Sequence, residues 1–165
     1  MVIAITLKSE TYAASRPILE PIGARARAHR TDLSILVDRD AEAYDGVVAA
    51  YRMPKETDAE KALRKTAREN ALLYAAEIPL KTAELACAVV SLAADAAPHI
   101  NPNAASDLLV AALLAEAALG GAAANVRINL GALKSDAFAK TATERLARWS
   151  RDAAARVATL RSALG

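Results

Sequence analysis

One cysteine, one tryptophan and one phenylalanine stand in a chain of 165 residues, and each scarcity closes off a class of architecture or chemistry. A lone Cys87 excludes an intramolecular disulfide and a cysteine-based metal cluster. Its place in the apolar run ELACAVV marks it as a small core residue. His29 and His99 are the only histidines, far apart and without a carboxylate at ligand spacing, so no metal site is expected. Aromatic residues make up 4% of the chain and the formal net charge is +2, which gives nucleic acid neither a stacking platform nor a strong field. Basic residues do gather at Arg25, Arg27, His29 and Arg30, and again along Arg145, Arg148, Arg151, Arg156 and Arg161. Acids interleave with both groups, so they read as solvated helix faces; the alternative is a landing surface for a small anionic ligand. The opening MVIAITLKSE has no basic n-region or cleavage signature, so a cytoplasmic location is the default expectation. G-x-S-x-G, Walker and G-x-G-x-x-G patterns are also missing. What chemistry remains belongs to carboxylates, amides, Arg and Lys, a set suited to moving protons on a bound organic ligand.

What is plentiful is alanine. Hydrophobic residues reach 54%, mostly Ala, the best helix former and the smallest side chain with a Cβ. Such a core works only where helix backbones approach closely. Strand signals are nearly absent, VIAITL at 2–7 being the single strand-like stretch, which reads equally as a helix end. The expectation is one all-α domain over 1–165, a bundle of about five long helices that dimerises through its helices. The first begins near Ser15 or Pro21 and ends at Met53-Pro54, because a residue before proline is steered out of the α region. TDAE at 57–60 reads as a capping box for a second helix to about Glu77, and Pro79 opens a third that runs to Pro98. Asn103 or Ser106 caps a long fourth helix, with Gly120-Gly121 as a weak point inside it. Ser135-Asp136 caps the last. Leu108 to Ala124 carries only one charge, Glu116, yet its Ala and Gly content favours a buried bundle helix over a membrane span.

Three segments, LVDRDAEAYDGVVAAYRMPKETDAEKALRKTA, AAEIPLKTAELA and NPNAASDLLVAALLAEAALGGAAANVRINL, occur in an order and spacing that resemble one family. It is the cyclodeaminase domain of formiminotransferase-cyclodeaminase together with its stand-alone bacterial relatives, the methenyltetrahydrofolate cyclohydrolases. The resemblance covers most of Leu36 to Leu130. It pairs a D-x-D-A-x-A-x-x-x-V…Y-x-x-P-K segment with an N-V-x-I-N-L helix end. It implies a folate substrate, no metal or redox cofactor, and a tetrahedral carbon formed between two folate nitrogens. The reaction opens the 5,10-methenyl bridge with water, or closes 5-formiminotetrahydrofolate with loss of ammonia. Members of that family begin with a further helix after a Gly-rich stretch, and the opening MVIAITLKSETY resembles the segment after that helix. The expectation is therefore an N-terminally truncated member, with a non-catalytic helical association module as the rival reading.

With the resemblance, Asp107 in the first turn of the long apolar helix becomes the leading general acid/base; without it, the residue merely complements the helix dipole. Asp40 is rotated away from Asp38 and Asp45 toward Leu33, Leu36 and Tyr44, and a carboxylate pushed toward a core is suited to serve as an acid. Arg64 and Lys55 are candidates for the ligand's glutamate tail. Asn103, Asn125 and Asn129 are candidates for binding the pterin; Asn125 and Asn129 lie four apart on one helix face, where amides are otherwise unwelcome, or they satisfy backbone at a helix end. Asp107 and Asn125 are 18 residues apart, on one side of a continuous helix but roughly 27 Å apart along its axis. One small ligand touches both only if a second copy packs antiparallel or the helix breaks at Gly120-Gly121.

Overall fold

The computed structural model describes residues 1–133 and 136–164, and among them every regular element is helical. There are five α-helices: α1 (Val2–Thr6), α2 (Arg16–Arg52), α3 (Asp58–Ala96), α4 (Ala105–Leu130) and α5 (Asp136–Leu164). Short 3-10 turns at Glu10–Ser15, Ala97–His99 and Pro102–Ala104 join or flank them. The strand-like VIAITL stretch is helix α1. Its buried Thr6 hydroxyl donates to the Val2 carbonyl at 3.0 Å and accepts from the Asn101 N–H at 3.0 Å, fastening the chain's start to the turn before α4.

Helix α3 is the centre of the bundle, with α2 and α4 packed extensively along it and α5 across both α3 and α4. Alanine explains how three helices reach one. Ala76, Ala83, Ala86 and Ala93 of α3 are buried, as are Ala112 and Ala123 of α4 and Ala153 of α5. With methyl groups at these points the backbones close up, and larger residues such as Leu19, Leu119, Leu146 and Val90 fill what remains. Cys87 lies in this core, its thiol directed at the Trp149 carbonyl at 3.7 Å, and burial pushes the thiol's pKa up.

Two boundaries differ from expectation. Pro79 does not open a helix: α3 runs unbroken from Asp58 to Ala96 with Pro79 inside it. A proline there removes the N–H that would reach the carbonyl four residues back, that of Ala75. The Asn129 side chain supplies the substitute, its Nδ2 donating to Ala75 O at 2.7 Å. Tertiary packing of the buried Ile78, Pro79 and Leu80 holds the pre-proline residue helical against its local preference. The second difference is the cap before α4. Asn101, not Asn103 or Ser106, caps the preceding turn, accepting from the Asn103 N–H at 2.9 Å, and α4 itself has no side-chain cap. The Gly120-Gly121 pair leaves α4 continuous. The expected cap at Ser135 lies outside the described residues.

The capping box at Thr57 is present. Thr57 Oγ1 accepts from the Glu60 N–H, and the Glu60 carboxylate accepts from the Thr57 and Glu56 N–H groups at 2.9 Å each. Those bonds, led by the one from the Thr57 backbone, hold the Glu60 carboxyl below its ordinary value. Replacing Thr57 by Ala should lower stability by about 1 kcal/mol in urea titration, because one helix-start donor loses its partner. An unchanged midpoint would mean that the box contributes nothing to α3.

Candidate functional site

A groove of about 320 Å³ opens where α2, α3 and α4 meet. Along α2 the inward positions Leu33, Leu36, Asp40 and Ala43 recur at spacings of three and four, so Asp40 falls in register with the core stripe. It is nevertheless exposed, because α4 opposite presents only Ala118, Gly121 and Ala122, and the helices leave open space instead of a packed seam. The floor is Pro79 and Thr82 of α3, and Asn125 closes the α4 side. The groove thus brings Asp40 and Asn125 together on apolar walls. Asn129, one turn further on, lines no part of it; its amide is engaged with Ala75 O and, at 3.4 Å, with Asn125 Oδ1.

Asp107 lies in a second cavity, of about 440 Å³, bounded by α1, α2, α3 and the start of α4. Its walls include Ile22, Val89, Leu92 and Leu108, and its polar lining is Asp107, Arg27 and Arg30. Gly23 also lines it; a Cβ at this position would sit in ordinary contact with Ile3 Cγ2 at 3.4 Å and the Arg27 guanidinium at 3.5 Å. The basic cluster at 25–30 is therefore divided, with Arg27 and Arg30 turned to the cavity that holds Asp107. Arg30 follows Ile22 and Ala26 at successive spacings of four, and Arg27 follows Gly23 by four, which was the available signal. Asn103 is exposed on the turn before α4, outside both cavities.

Because α4 is unbroken, Asp107 and Asn125 remain roughly 27 Å apart along its axis, on the same side. Within one chain they serve different cavities. Arg64 and Lys55 lie elsewhere again, at the corner between α2 and α3. Arg64 Nη2 donates to the Tyr51 carbonyl at 2.8 Å, capping the end of α2, and the Arg68 guanidinium stacks over the Tyr51 ring at 4.0 Å. Arg64 sits 25 residues along the same helix from Val89 of the Asp107 cavity, roughly 37 Å. Lys55 is exposed in the connecting loop. The geometry groups Asp40 with Asn125 and Asp107 with Arg27 and Arg30, and leaves Arg64 in the hairpin corner. Among the described residues no group of His, Cys, Asp and Glu gathers to hold a metal.

The sequence profile described as formiminotransferase-cyclodeaminase matches residues 1–148. The methenyltetrahydrofolate cyclohydrolase of Methylorubrum extorquens is 36% identical over 140 residues, 85% of this chain and 67% of that protein. Formimidoyltransferase-cyclodeaminase of Rattus norvegicus is 32% identical over 137 residues, 83% of this chain, which spans only 25% of that longer protein. Among solved structures, formiminotetrahydrofolate cyclodeaminase from Thermotoga maritima superposes with a TM-score of 0.86 at 27% identity, over 99% of this chain and 78% of that one.

The placement of Arg64 generates a test. Arg64→Ala should lower stability by about 1–2 kcal/mol, since a charged donor leaves a helix-end carbonyl unpaired, whereas Lys55→Ala should stay within about 0.5 kcal/mol. Chemical denaturation of both variants reads the difference. Equal effects would dissolve the distinction between corner and loop.

Proposed function

Because the chain belongs to the formiminotransferase-cyclodeaminase family, we propose that it interconverts one-carbon tetrahydrofolates in the cytoplasm, adding water to the 5,10-methenyl bridge to give 10-formyltetrahydrofolate. The Methylorubrum cyclohydrolase has the highest identity of the three proteins compared, which supports this reaction over cyclodeamination of 5-formiminotetrahydrofolate. Water attacks the bridging carbon, which carries the positive charge of an amidinium. Both protons of the attacking water leave its oxygen: one reaches N5 as the bond from N5 to that carbon breaks, and the other is released to solvent as the hydroxyl becomes the formyl carbonyl. A carboxylate suits both halves: it complements the cation before attack and shuttles the proton after it. Asp107 and Asp40 are the proposed acid/base pair, and the steps call for no metal or redox cofactor. Arg27 and Arg30 offer the substrate's glutamate carboxylates the guanidinium partners that Arg64, occupied at the corner, offers less well. Asn103 and Lys55 are exposed and remain candidates only at the margin of such a site.

The observation that carries the reading is the arrangement on α4. Asp107 and Asn125 share one side of it with Val110, Leu114, Gly121 and Ile128, and this side is bare: Leu114 is 68% and Ile128 74% exposed. The 29-residue stretch Pro102–Leu130 is long and apolar enough to cross a membrane: its most apolar 18-residue window has a mean hydropathy of 1.7, and only 22% of that window is buried. A second copy offers this stripe a better cover, since an isologous contact places the same residues against each other. An antiparallel crossing near Ala117, midway along the bare side, brings Asp107 of one protomer beside Asn125 of its partner and joins the two half-sites. Gly120 and Gly121 have open space around them, which permits close approach at the crossing.

Purified protein should therefore accelerate the loss of methenyltetrahydrofolate absorbance above the buffer rate. Asp107→Asn should lower turnover by about a hundredfold or more without disturbing the fold, because Asp107 is exposed and its amide is isosteric. Light scattering at micromolar concentration should give at least a dimer mass. Folded protein that never accelerates the loss would favour a helical association module instead, and a monomer mass would remove the joined site.

A further inference from the structure

Pro79 lacks an N–H, and the carbonyl it strands is that of Ala75, in the middle of a packed helix. Asn129 Nδ2 donates to that oxygen at 2.7 Å, the shortest polar contact that α4 makes with α3. This bond fixes the amide's orientation without ambiguity, since the flipped amide would place oxygen against oxygen. Once Nδ2 faces Ala75, its second hydrogen points along α4 toward the residue one turn earlier, and Asn125 Oδ1 lies 3.4 Å away. With its oxygen accepting from Asn129, Asn125 keeps its own Nδ2 free for the groove that it lines with Asp40. A proline in α3 thereby decides which way two amides face on α4.

We infer that Asn129 is a positioning residue for the reaction. Anchored on the carbonyl that Pro79 strands, it presents the Asn125 amide to the groove as a pair of N–H donors. The inference rests on the reading that this groove serves the folate reaction, and it deepens that reading by assigning a polarity. Opposite Asp40, the groove offers donors, and so takes an acceptor atom of the substrate such as the carbonyl oxygen of the pterin ring. Asn129 itself does not touch substrate. Its NVRIN spacing to Asn125 is what one helical turn requires for the two amides to meet, and its register against Ala75 is what the missing N–H of Pro79 requires.

Pro79→Ala separates positioning from plain structural support, because an alanine at this position restores the N–H to the Ala75 carbonyl. Asn129→Ala in the native background should lower Tm by roughly 3–8 °C, and the same change made in Pro79→Ala should lower it by much less. Turnover of methenyltetrahydrofolate should respond differently. Asn129→Ala should lower kcat by roughly tenfold to a hundredfold in both backgrounds, since Asn125 is released in both. In heteronuclear NMR spectra the Asn125 side-chain NH₂ pair should collapse toward random-coil shifts in each Asn129→Ala variant. Recovery of kcat together with Tm in the double variant would reduce Asn129 to a structural patch and overturn the proposal. So would an Asn125 NH₂ signal that ignores the loss of Asn129. Equal Tm losses in the two backgrounds would overturn the link to Pro79. Asn125→Ala with native turnover would instead sink the reading of the groove, while the Tm and NMR results still judge the anchoring.

Discussion

The close approach of alanine-faced helices to α3 is the constraint on which everything else depends. Each methyl buries little surface, on the order of 1 kcal/mol, so cohesion comes from many short backbone-to-backbone contacts and not from a few large side chains. Ala76 and Ala83 of α3, Ala112 of α4 and Ala153 of α5 are wholly enclosed. The same constraint shapes the candidate site. Where α4 carries Ala118, Gly121 and Ala122 against a stretch of α2 that bears Asp40, small residues leave room for a ligand rather than for a core. Groove and core are two outcomes of one composition.

The packing also makes polar groups costly, and the ones that occur have identifiable duties. Thr6 ties α1 to the Asn101 turn, Arg64 closes the end of α2, and Asn129 completes the interrupted ladder of α3. Glu84 is held between Lys81 at 2.7 Å and Arg145 at 3.3 Å, joining α3 to α5 at a partly exposed edge. Its carboxyl sits below the usual value chiefly through the hydrogen bond from Lys81, helped by Arg145. Asp40, Asp107, the outer amide of Asn125, and Arg27 with Arg30 stand apart from these by their position. They line the two cavities, and the proposed function assigns them the acid, the base and the carboxylate partners that opening a methenyl bridge calls for.

Much of this was legible in the sequence because it arises from local rules. Alanine abundance and absent strand signals point to helices, T-D-A-E marks the start of α3, and the three-four spacing of Leu33, Leu36 and Asp40 places that acid on the inward stripe of α2. The family resemblance rests on motifs that the matched profile also spans. The features that local rules miss depend on partners distant in sequence. Pro79 reads locally as a helix start, and only Asn129, 50 positions later, explains how a proline sits inside a 39-residue helix. Arg64 reads as a free cation because its acceptor, the Tyr51 carbonyl, is a backbone group across the hairpin. The cap before α4 is misplaced for a related reason: Asn101 and Asn103 are equally good capping residues, and only the fold chooses between them.

Under the proposed function, the two half-sites about 27 Å apart on α4 are completed by an antiparallel second copy. Mixing two variants tests this most directly. Asp107→Asn and Asn125→Ala, each of low activity alone, are co-expressed in equal amounts and purified together, and methenyltetrahydrofolate turnover is measured. In a joined site every mixed dimer retains one intact site and one doubly damaged site, so the mixture should regain about a quarter of native specific activity under random pairing. A mixture no more active than its components would mean that Asp107 and Asn125 do not meet across two chains, and the joined site would have to be abandoned.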